Sequence, residues 1–195
     1  AMADLVSRLE AQGLAFPHVE WVDAADQERH LVVCSRFPIV ERQSRTDLIY
    51  RMDLMEYPVQ RGILDVTLQP TPDYQLRILG VHLKSKRETP GADQALMRRN
   101  EAHLLREHVD TLLTENSEMN VLLYGDFNDT RNEVTIRAIQ GRYGAPNYLR
   151  ALDARDDSGQ SWTHYWDAAD IYSRIDFLFA SKGLLPEIRD SETRI

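Results

Sequence analysis

One stretch, residues 120–129, constrains the fold more than any other part of the chain. Four apolar or aromatic residues, Val121–Tyr124, come just before Gly125, a pattern typical of a short buried strand. Asp126 and Asn128 follow the glycine, two positions apart. If extended geometry continues through Asn128, both side chains project to the same side at the end of a strand. Because α/β proteins place their chemistry at strand ends, this stretch predicts a site as well as a strand.

The residue types in this stretch allow two interpretations. A carboxylate there can bind a hard metal ion or take a proton, and a carboxamide can donate to an oxyanion. Gly, Asp and Asn are also the commonest turn residues, so a plain turn is an equal alternative. A helix–loop–helix calcium site is excluded, because it needs Gly at its sixth position and Glu at its twelfth. Counted from Asp126, those positions hold Arg131 and Arg137.

Composition predicts a single globular domain, residues 1–195, with 43% hydrophobic and 28% charged residues. No apolar run approaches the ~20 residues of a membrane span, and no signal peptide is visible, so the compartment stays open. The net charge of −8 argues against a protein that neutralises a long phosphate backbone. The single cysteine, Cys34, excludes an internal disulfide, and we expect it to be a buried structural thiol.

Apolar patterning predicts alternating strands and helices. We expect helices over residues 1–12 and Glu133–Ile139, and a longer one that opens at Thr89–Pro90. The predicted strands are Val19–Val22, Leu31–Cys34, Ile39–Val40, Gly62–Leu68, Leu76–Leu83 and Ile175–Phe179. Gly62–Leu68 alternates as a half-buried strand and should form a hairpin with Leu76–Leu83. Residues 41–58 are predicted to be an irregular surface segment, and residues 140–170 long loops.

Three further places could join the Asp126 site. His82 ends an apolar strand, with Lys84 and Lys86 beside it as a local positive spot, although a lone His there is more often structural. Asp176 lies inside an apolar strand, where a carboxylate needs a partner. The aromatic segment Ser161–Trp166 favours packing over catalysis, although such loops often line a pocket.

Two histidines of the long helix do not predict a metal site. His103 and His108 are five residues apart and therefore do not share a helix face, so we expect both to face solvent.

Four short motifs follow one another along the chain: Cys34–Ile39, His82–Ser85, Gly125–Asn128 and Arg174–Phe177. Each is weak alone, but in this order the chain resembles the endonuclease/exonuclease/phosphatase superfamily over roughly residues 30–180. This family includes pancreatic-type deoxyribonucleases, abasic-site endonucleases, neutral sphingomyelinases and inositol-polyphosphate 5-phosphatases. The resemblance implies a four-layer α/β/β/α sandwich of two sheets flanked by helices, here incomplete. It also implies hydrolysis of phosphate esters that depends on Mg²⁺, with Mn²⁺ as a possible substitute.

The resemblance also implies roles for particular residues. Asp126 would orient or deprotonate the attacking water, and Asn128 would hydrogen-bond the non-bridging phosphate oxygens; these two would form a partial metal site. His82 would contact the phosphate, and Asp176 would hold the catalytic histidine of the family in its productive orientation. The same motifs imply substrate-binding positions at Lys84, Ser85 and Arg174.

The chain departs from the family pattern at both ends. The initial Asn-containing strand, the Glu that is the principal metal ligand and the final Ser-Asp-His strand are not found in it. We therefore expect the chain to be the central portion of such a protein, holding about half of the active site and having little activity alone. A catalytically degenerate module that binds a phosphorylated ligand or a protein is the main alternative. A serine or cysteine hydrolase is the third hypothesis, which the absence of a Gly-x-Ser-x-Gly elbow does not favour.

The substrate stays open among nucleic acid, a phosphorylated small molecule and a phospholipid headgroup. No hydrophobic loop in the sequence argues for a lipid, and protein partners cannot be inferred. Candidates for a local positive patch are Lys84, Lys86, Arg87, Arg98 and Arg99, the last two favouring a solvated helix face.

Overall fold

The structure is a computed structural model that describes residues 2–88 and 90–194. This part of the chain contains three α-helices and twelve strands. The helices are α1 (Met2–Ala11), α2 (Gln94–Glu115) and α3 (Val134–Gln140). The strands are β1 (His18–Val22), β2 (Leu31–Ser35), β3 (Ile39–Arg42), β4 (Ile49–Met52), β5 (Met55–Pro58), β6 (Leu64–Thr71), β7 (Tyr74–His82), β8 (Val121–Asp126), β9 (Arg150–Ala151), β10 (His164–Trp166), β11 (Ile171–Ser173) and β12 (Asp176–Ala180). Among the described residues, no helix has both the length and the apolar character needed to cross a membrane.

Six strands form one mixed sheet in the order β3-β6-β7-β8-β12-β9. β7 and β8 run parallel, and α2 connects them as the crossover that a parallel pair requires. The other neighbours are antiparallel and include the predicted hairpin of β6 and β7. Three smaller sheets pair β1 with β2, β4 with β5, and β10 with β11. The predicted α/β class is therefore confirmed.

The main core lies between the six-stranded sheet and α2. Apolar side chains from alternate positions of β7 and β8, such as Leu79 and Leu123, meet the α2 residues Leu105 and Val109 there. Phe127, fully buried, packs edge-on against the aromatic rings of β12 in the same cluster. This packing fixes the ends of β8 and β12, where the predicted site lies.

The opposite face of the sheet is covered by the β1–β2 hairpin. Val22 packs there against Leu64, Val66 and Ile78, with Leu31 at the margin of the cluster. Because both faces of the sheet are covered, the prediction of a half-buried strand at Gly62–Leu68 was wrong: every residue from Leu64 to Leu68 is buried. The polar members of this run need partners inside the protein.

The polar face of β6 finds those partners on β7 and α2. Asp65 is 0% exposed, and its carboxylate accepts hydrogen bonds from Arg77. His108 Nε2 lies 2.7 Å from Asp65 Oδ2, so the prediction that His108 faces solvent was wrong. His103 is exposed, as predicted, and the two histidines form no pair.

Three local predictions also need correction. Residues 41–58 contain the regular hairpin of β4 and β5, whose Tyr50 is buried against α2. The long helix begins at Gln94, because the Asp93 side chain accepts from the first free backbone N–H groups. Pro90 lies in a turn before it, and Thr89 is outside the described residues. The Cys34 thiol is free, as expected, but only half-buried.

Candidate functional site

Three adjacent strands bring the predicted residues to one edge of the sheet. β7 ends at His82 and β8 ends at Asp126, and these two residues are partners in the parallel register. β12 runs the other way and begins at Asp176, which pairs with Asp126. Because parallel strands end at the same edge and an antiparallel neighbour begins there, the strand order alone assembles these three side chains.

His82 and Asp126 are close but do not form an ion pair at neutral pH. Nε2 of His82 lies 3.6 Å from Oδ2 of Asp126, longer than a hydrogen bond, and each side chain is 29% exposed. Burial raises the pKa of Asp126 to about 6, helped by the charge of Asp176 and opposed by the backbone N–H of Asn128. Burial and the nearby Arg61 lower the pKa of His82 to about 4. At pH 7 the carboxylate is therefore largely ionised, and the imidazole is neutral.

The loop after β8 differs from its predicted geometry. Asn128 has a φ of 51°, in the left-handed region, so the extended conformation expected through this residue is wrong. Its backbone N–H instead donates to Asp126 Oδ1 at 2.8 Å, and its side-chain Nδ2 donates to the carbonyl of Leu83 at 3.0 Å. This turn fixes the Asp126 carboxylate and holds the Asn128 amide against the end of β7.

The Lys84 segment after β7 is fixed by α2. Glu101 Oε2 accepts from the Lys84 backbone N–H at 2.6 Å, and Arg98 donates to the Lys84 carbonyl at 3.1 Å. Ser85 follows in the same half-buried loop. Arg98 is itself buried and bonded to Asp129, so the prediction that it lies on a solvated helix face was wrong. Arg98 is therefore not a free cation of the predicted local positive patch.

Arg174 stabilises the structure around β12 and also borders a cavity. Its guanidinium donates to the Leu152 carbonyl at 2.8 Å and lies 4.9 Å from the centre of the Phe177 ring. Burial lowers the pKa of this arginine. The cavity, of about 230 Å³, is also lined by Gly125 and Asp176. Arg174 is therefore placed near the site, with part of its hydrogen-bonding capacity already used.

The aromatic segment acts on the site in two ways that the sequence did not indicate. Thr163 Oγ1 accepts from the backbone N–H groups of Ile175 and Asp176, both at 3.2 Å, which ties the segment to the start of β12. His164 follows, and its charge lowers the pKa of Asp126. The packing expected for this segment is incomplete, because Trp166 is 55% exposed. No motif in the sequence marks Thr163 or His164.

Glu101 is a buried acid whose titration should affect stability. Burial raises its pKa to about 7, although the Lys84 backbone N–H and the charge of Arg61 work in the other direction. Below about pH 4.5, the ordinary pKa, Glu101 is protonated in both the folded and the unfolded chain. Between that pH and about 7, only the unfolded chain loses the proton. The contribution of Glu101 to the free energy of unfolding is therefore lost as the pH rises through this window.

We expect Glu101→Gln to be more stable than the unsubstituted protein by about 3 kcal/mol at pH 8. Glutamine keeps an acceptor for the Lys84 N–H but cannot ionise. At pH 4 the two proteins should differ by less than about 1 kcal/mol. Urea unfolding at both pH values measures the difference, with the exposed Glu56→Gln as control. Equal stability of Glu101→Gln and the unsubstituted protein at pH 8 would contradict the raised pKa.

The oxygen donors at the sheet edge suit a magnesium ion in type but are few. Mg²⁺ is commonly held by one or two carboxylates together with water and substrate phosphate. Asp126 and Asp176 supply carboxylates here, and Asn128 supplies an amide oxygen. Within residues 2–88 and 90–194, however, no group of three or more His, Cys, Asp or Glu residues could hold a metal ion. The described residues fit a partial site.

Comparison with solved structures shows the fold. A beta toxin from Staphylococcus aureus has a TM-score of 0.64 at 14% identity, with 93% of this chain and 68% of the toxin covered. The catalytic domain of human Nocturnin has a TM-score of 0.61 at 16% identity, covering 93% and 64%. Sphingomyelinase C from Streptomyces griseocarneus has a TM-score of 0.54 at 18% identity, covering 78% and 52%. The chain thus spans about half to two thirds of the length of these proteins.

A family match gives the assignment that these distant structural likenesses cannot. A search of the curated proteins finds no match to the sequence. A structure of a staphylococcal beta toxin double mutant contains bound magnesium ions. It matches with a TM-score of 0.60 at 12% identity, and the match covers 93% of this chain and 67% of the toxin. The sequence profile described as "Endonuclease/Exonuclease/phosphatase family" matches residues 10–191. The chain therefore belongs to the endonuclease/exonuclease/phosphatase family.

Proposed function

We propose that the protein is a metal-dependent hydrolase of phosphate esters, with a phosphodiesterase or nuclease as the leading form. Members of the family are generally metal-dependent phosphoesterases. The observation that carries the proposal is the meeting of His82, Asp126 and Asp176 at the ends of three adjacent strands. Phosphoryl transfer depends on positioning and on donors aimed at the phosphoryl oxygens, which such an edge can supply.

Asp126 is the proposed acceptor of a proton from the attacking water. Its Oδ1 atom already accepts from the Asn128 N–H, so Oδ2 is the atom available to a water molecule. With a pKa of about 6, the carboxylate is ionised at pH 7 yet basic enough to take a proton. Neutral His82 would then contact the phosphate as a hydrogen-bond donor, not as a cation.

The other proposed roles follow from position. Asn128 keeps one amide N–H for the phosphate while the other holds Leu83. Asp176, tied to Thr163 through its backbone, would orient a histidine supplied from elsewhere in the protein. Lys84 and Ser85 are proposed to line the phosphate-binding side.

The proposal also includes two ligands of a metal ion and one further residue that contacts the substrate. Asp126 and Asn128 would hold Mg²⁺ or Mn²⁺ as a partial site, and the bound ion would neutralise charge on the phosphoryl oxygens. Arg174 is proposed to contact substrate from the cavity that it borders.

The finer form of the fold is part of the proposal. The β1–β2 hairpin lies on the sheet face opposite α2, which is the place of the second sheet in the four-layer sandwich. We propose that the complete domain has this α/β/β/α arrangement. Further strands beside β1 or β2 in a structure of the longer protein would support it.

The test is hydrolysis by the protein from its full reading frame beside the 195-residue chain, with Mg²⁺, Mn²⁺ or EDTA. The panel holds an aryl phosphodiester, single- and double-stranded DNA, an inositol polyphosphate and sphingomyelin, because the substrate class is open. We expect activity in the longer protein, little in the shorter chain, and a loss of at least about a hundredfold in Asp126→Asn. The fully exposed Asp157→Asn is the matched control. Activity that survives both EDTA and Asp126→Asn would contradict the mechanism.

The second candidate is a module that binds a phosphorylated ligand or a protein without turnover. The small number of acidic and histidine donors grouped among the described residues favours it. Binding of inorganic phosphate by the longer protein, without hydrolysis of any panel member in either metal, would select this candidate.

A further inference from the structure

A buried arginine stands at the same sheet edge and has no role in the family motifs quoted above. Arg61 precedes β6, whose first residue, Leu64, pairs with Gly80 of β7. Because β6 runs antiparallel to β7, it begins at the edge where β7 ends, and Arg61 lies three positions before its first residue. The strand order β6-β7-β8-β12 therefore brings Arg61, His82 and the two aspartates to one edge.

The backbone before β6 is fixed so that Arg61 keeps this position. Gly62 has a φ of +69°, and a Cβ atom there would lie 2.2 Å from the carbonyl oxygen of Arg45. The neighbouring Gln60 carbonyl accepts from the backbone N–H of Asp26 at 2.7 Å. Arg61 is thus held between two anchored residues.

The Arg61 guanidinium is buried and has N–H donors without hydrogen-bond partners among the described residues. The residue is only 7% exposed. Its Nε lies 3.1 Å from Asp26 Oδ2, but without the alignment of a hydrogen bond. Its buried Nη1 has no hydrogen-bond partner in residues 2–88 and 90–194. A buried charged donor without a partner is costly, so a ligand that accepts from Nη1 would recover energy that the folded chain alone does not.

The charge of the Arg61 guanidinium favours an anion as this ligand. Its charge contributes to the lowered pKa values of His82 and Lys84, so the guanidinium lies within electrostatic reach of both. Arg61 also acts on Asp126, the proposed water-activating carboxylate, so it lies within electrostatic reach of the place proposed for the phosphate. Guanidinium groups bind phosphate through charge-assisted hydrogen bonds that are stronger than neutral ones.

We propose that Arg61 is a substrate-contacting residue that donates from Nη1 to a non-bridging oxygen of the phosphate placed at Asp126. The inference rests on the proposed function for its substrate, but it makes a separate claim about phosphate binding. Asp26 is the positioning residue that holds the guanidinium from the other side. The ligand class is a phosphate mono- or diester.

The test measures inorganic phosphate binding by calorimetry, with no turnover required, in the full-length protein. Arg61→Lys and Arg61→Met should weaken phosphate affinity at least tenfold, because both remove the Nη1 donor. Asp126→Asn should retain phosphate affinity while losing hydrolysis. The exposed Arg51→Met is the matched control and should bind phosphate like the unsubstituted protein.

Three outcomes decide between a ligand contact and a purely structural role. Unchanged phosphate affinity in a folded Arg61→Met would overturn the proposal. Asp26→Asn should weaken phosphate affinity less than Arg61→Met, because it loosens the guanidinium but leaves the Nη1 donor in place. If the Arg61 variants do not fold, crystals of the unsubstituted protein soaked in tungstate decide. Tungstate bound within hydrogen-bond distance of Arg61 would support the contact. Tungstate bound only at other places would contradict it.

The same measurements keep this proposal separate from the hydrolase. A protein that binds phosphate through Arg61 yet hydrolyses no ester contradicts the proposed function and supports the Arg61 contact. A protein that hydrolyses esters with unchanged KM and kcat in Arg61→Lys supports the function and overturns the contact.

Discussion

Replacing Arg77 by methionine is expected to lower the free energy of unfolding by about 3–5 kcal/mol. Arg77 donates to both carboxylate oxygens of Asp65, which is completely buried. Burial opposes ionisation of Asp65, but the hydrogen bonds from His108 and Arg77 hold its pKa below the usual value. Without Arg77 a buried carboxylate keeps only the half-buried His108, and the loss of a charged partner is among the costliest single changes.

Urea unfolding of Arg77→Met measures this effect, with Arg51→Met as the matched control. Arg51 forms an exposed ion pair with Glu56, so its replacement should change stability by less than about 1 kcal/mol. The double variant Asp65→Leu/Arg77→Met should recover much of the loss, because it removes both charges together. A change below about 1 kcal/mol in Arg77→Met would show that Asp65 is not ionised in the folded protein.

The buried charges also explain what the sequence could not predict. Alternation along β6 correctly separates one face, with Leu64 and Val66, from another, with Asp65 and Thr67. Sequence rules assign the second face to solvent, since they cannot see that β7 and α2 supply partners for it. The same limit led to the wrong position for Arg98, because a charged residue on a helix is normally solvated.

The strand-end chemistry was predictable because it depends on register more than on side-chain detail. Short apolar runs that end in His82 and Asp126 are visible in the sequence, and parallel pairing then places these residues together. The turn at Asn128 was not predictable, since it depends on a left-handed backbone and a bond to the Leu83 carbonyl. Arg61 was missed because no local pattern distinguishes a buried arginine from an exposed one.

The β4–β5 hairpin shows how weak turn signals hide regular structure. Its two-residue turn is Asp53 and Leu54, with a positive φ only at Asp53, and it contains no glycine. Tyr50 and Met52 alternate with exposed neighbours, as a half-buried strand requires. The charged residues around them gave the segment the composition of a surface loop.

The second large effect is expected at Gly125, which follows the strand predicted from the sequence, Val121–Tyr124, but which lies within β8 in the structure. Its φ is +149°, and a Cβ atom there would lie 1.9 Å from the carbonyl oxygen of Val81. The obstacle is the backbone of a neighbouring central strand, not a flexible side chain. Gly125 pairs with Val81 on one side and with Phe177 on the other, so the sheet cannot open locally without loss of register.

Gly125→Ala should therefore destabilise the protein by about 4 kcal/mol or more, since backbone strain and a main-chain clash add together. Gly144→Ala and Gly159→Ala are controls for a positive φ without a clash, because their φ values are +79° and +78° and an added Cβ atom meets nothing within 4 Å. They should cost about 1–2 kcal/mol, which is the strain of the left-handed backbone alone. Circular dichroism during urea unfolding compares all three variants. A Gly125→Ala variant no less stable than the controls would mean that β7 and β8 are not packed at this distance. His82 and Asp126, one position further along the same pair of strands, would then lack the fixed spacing on which the proposed site depends.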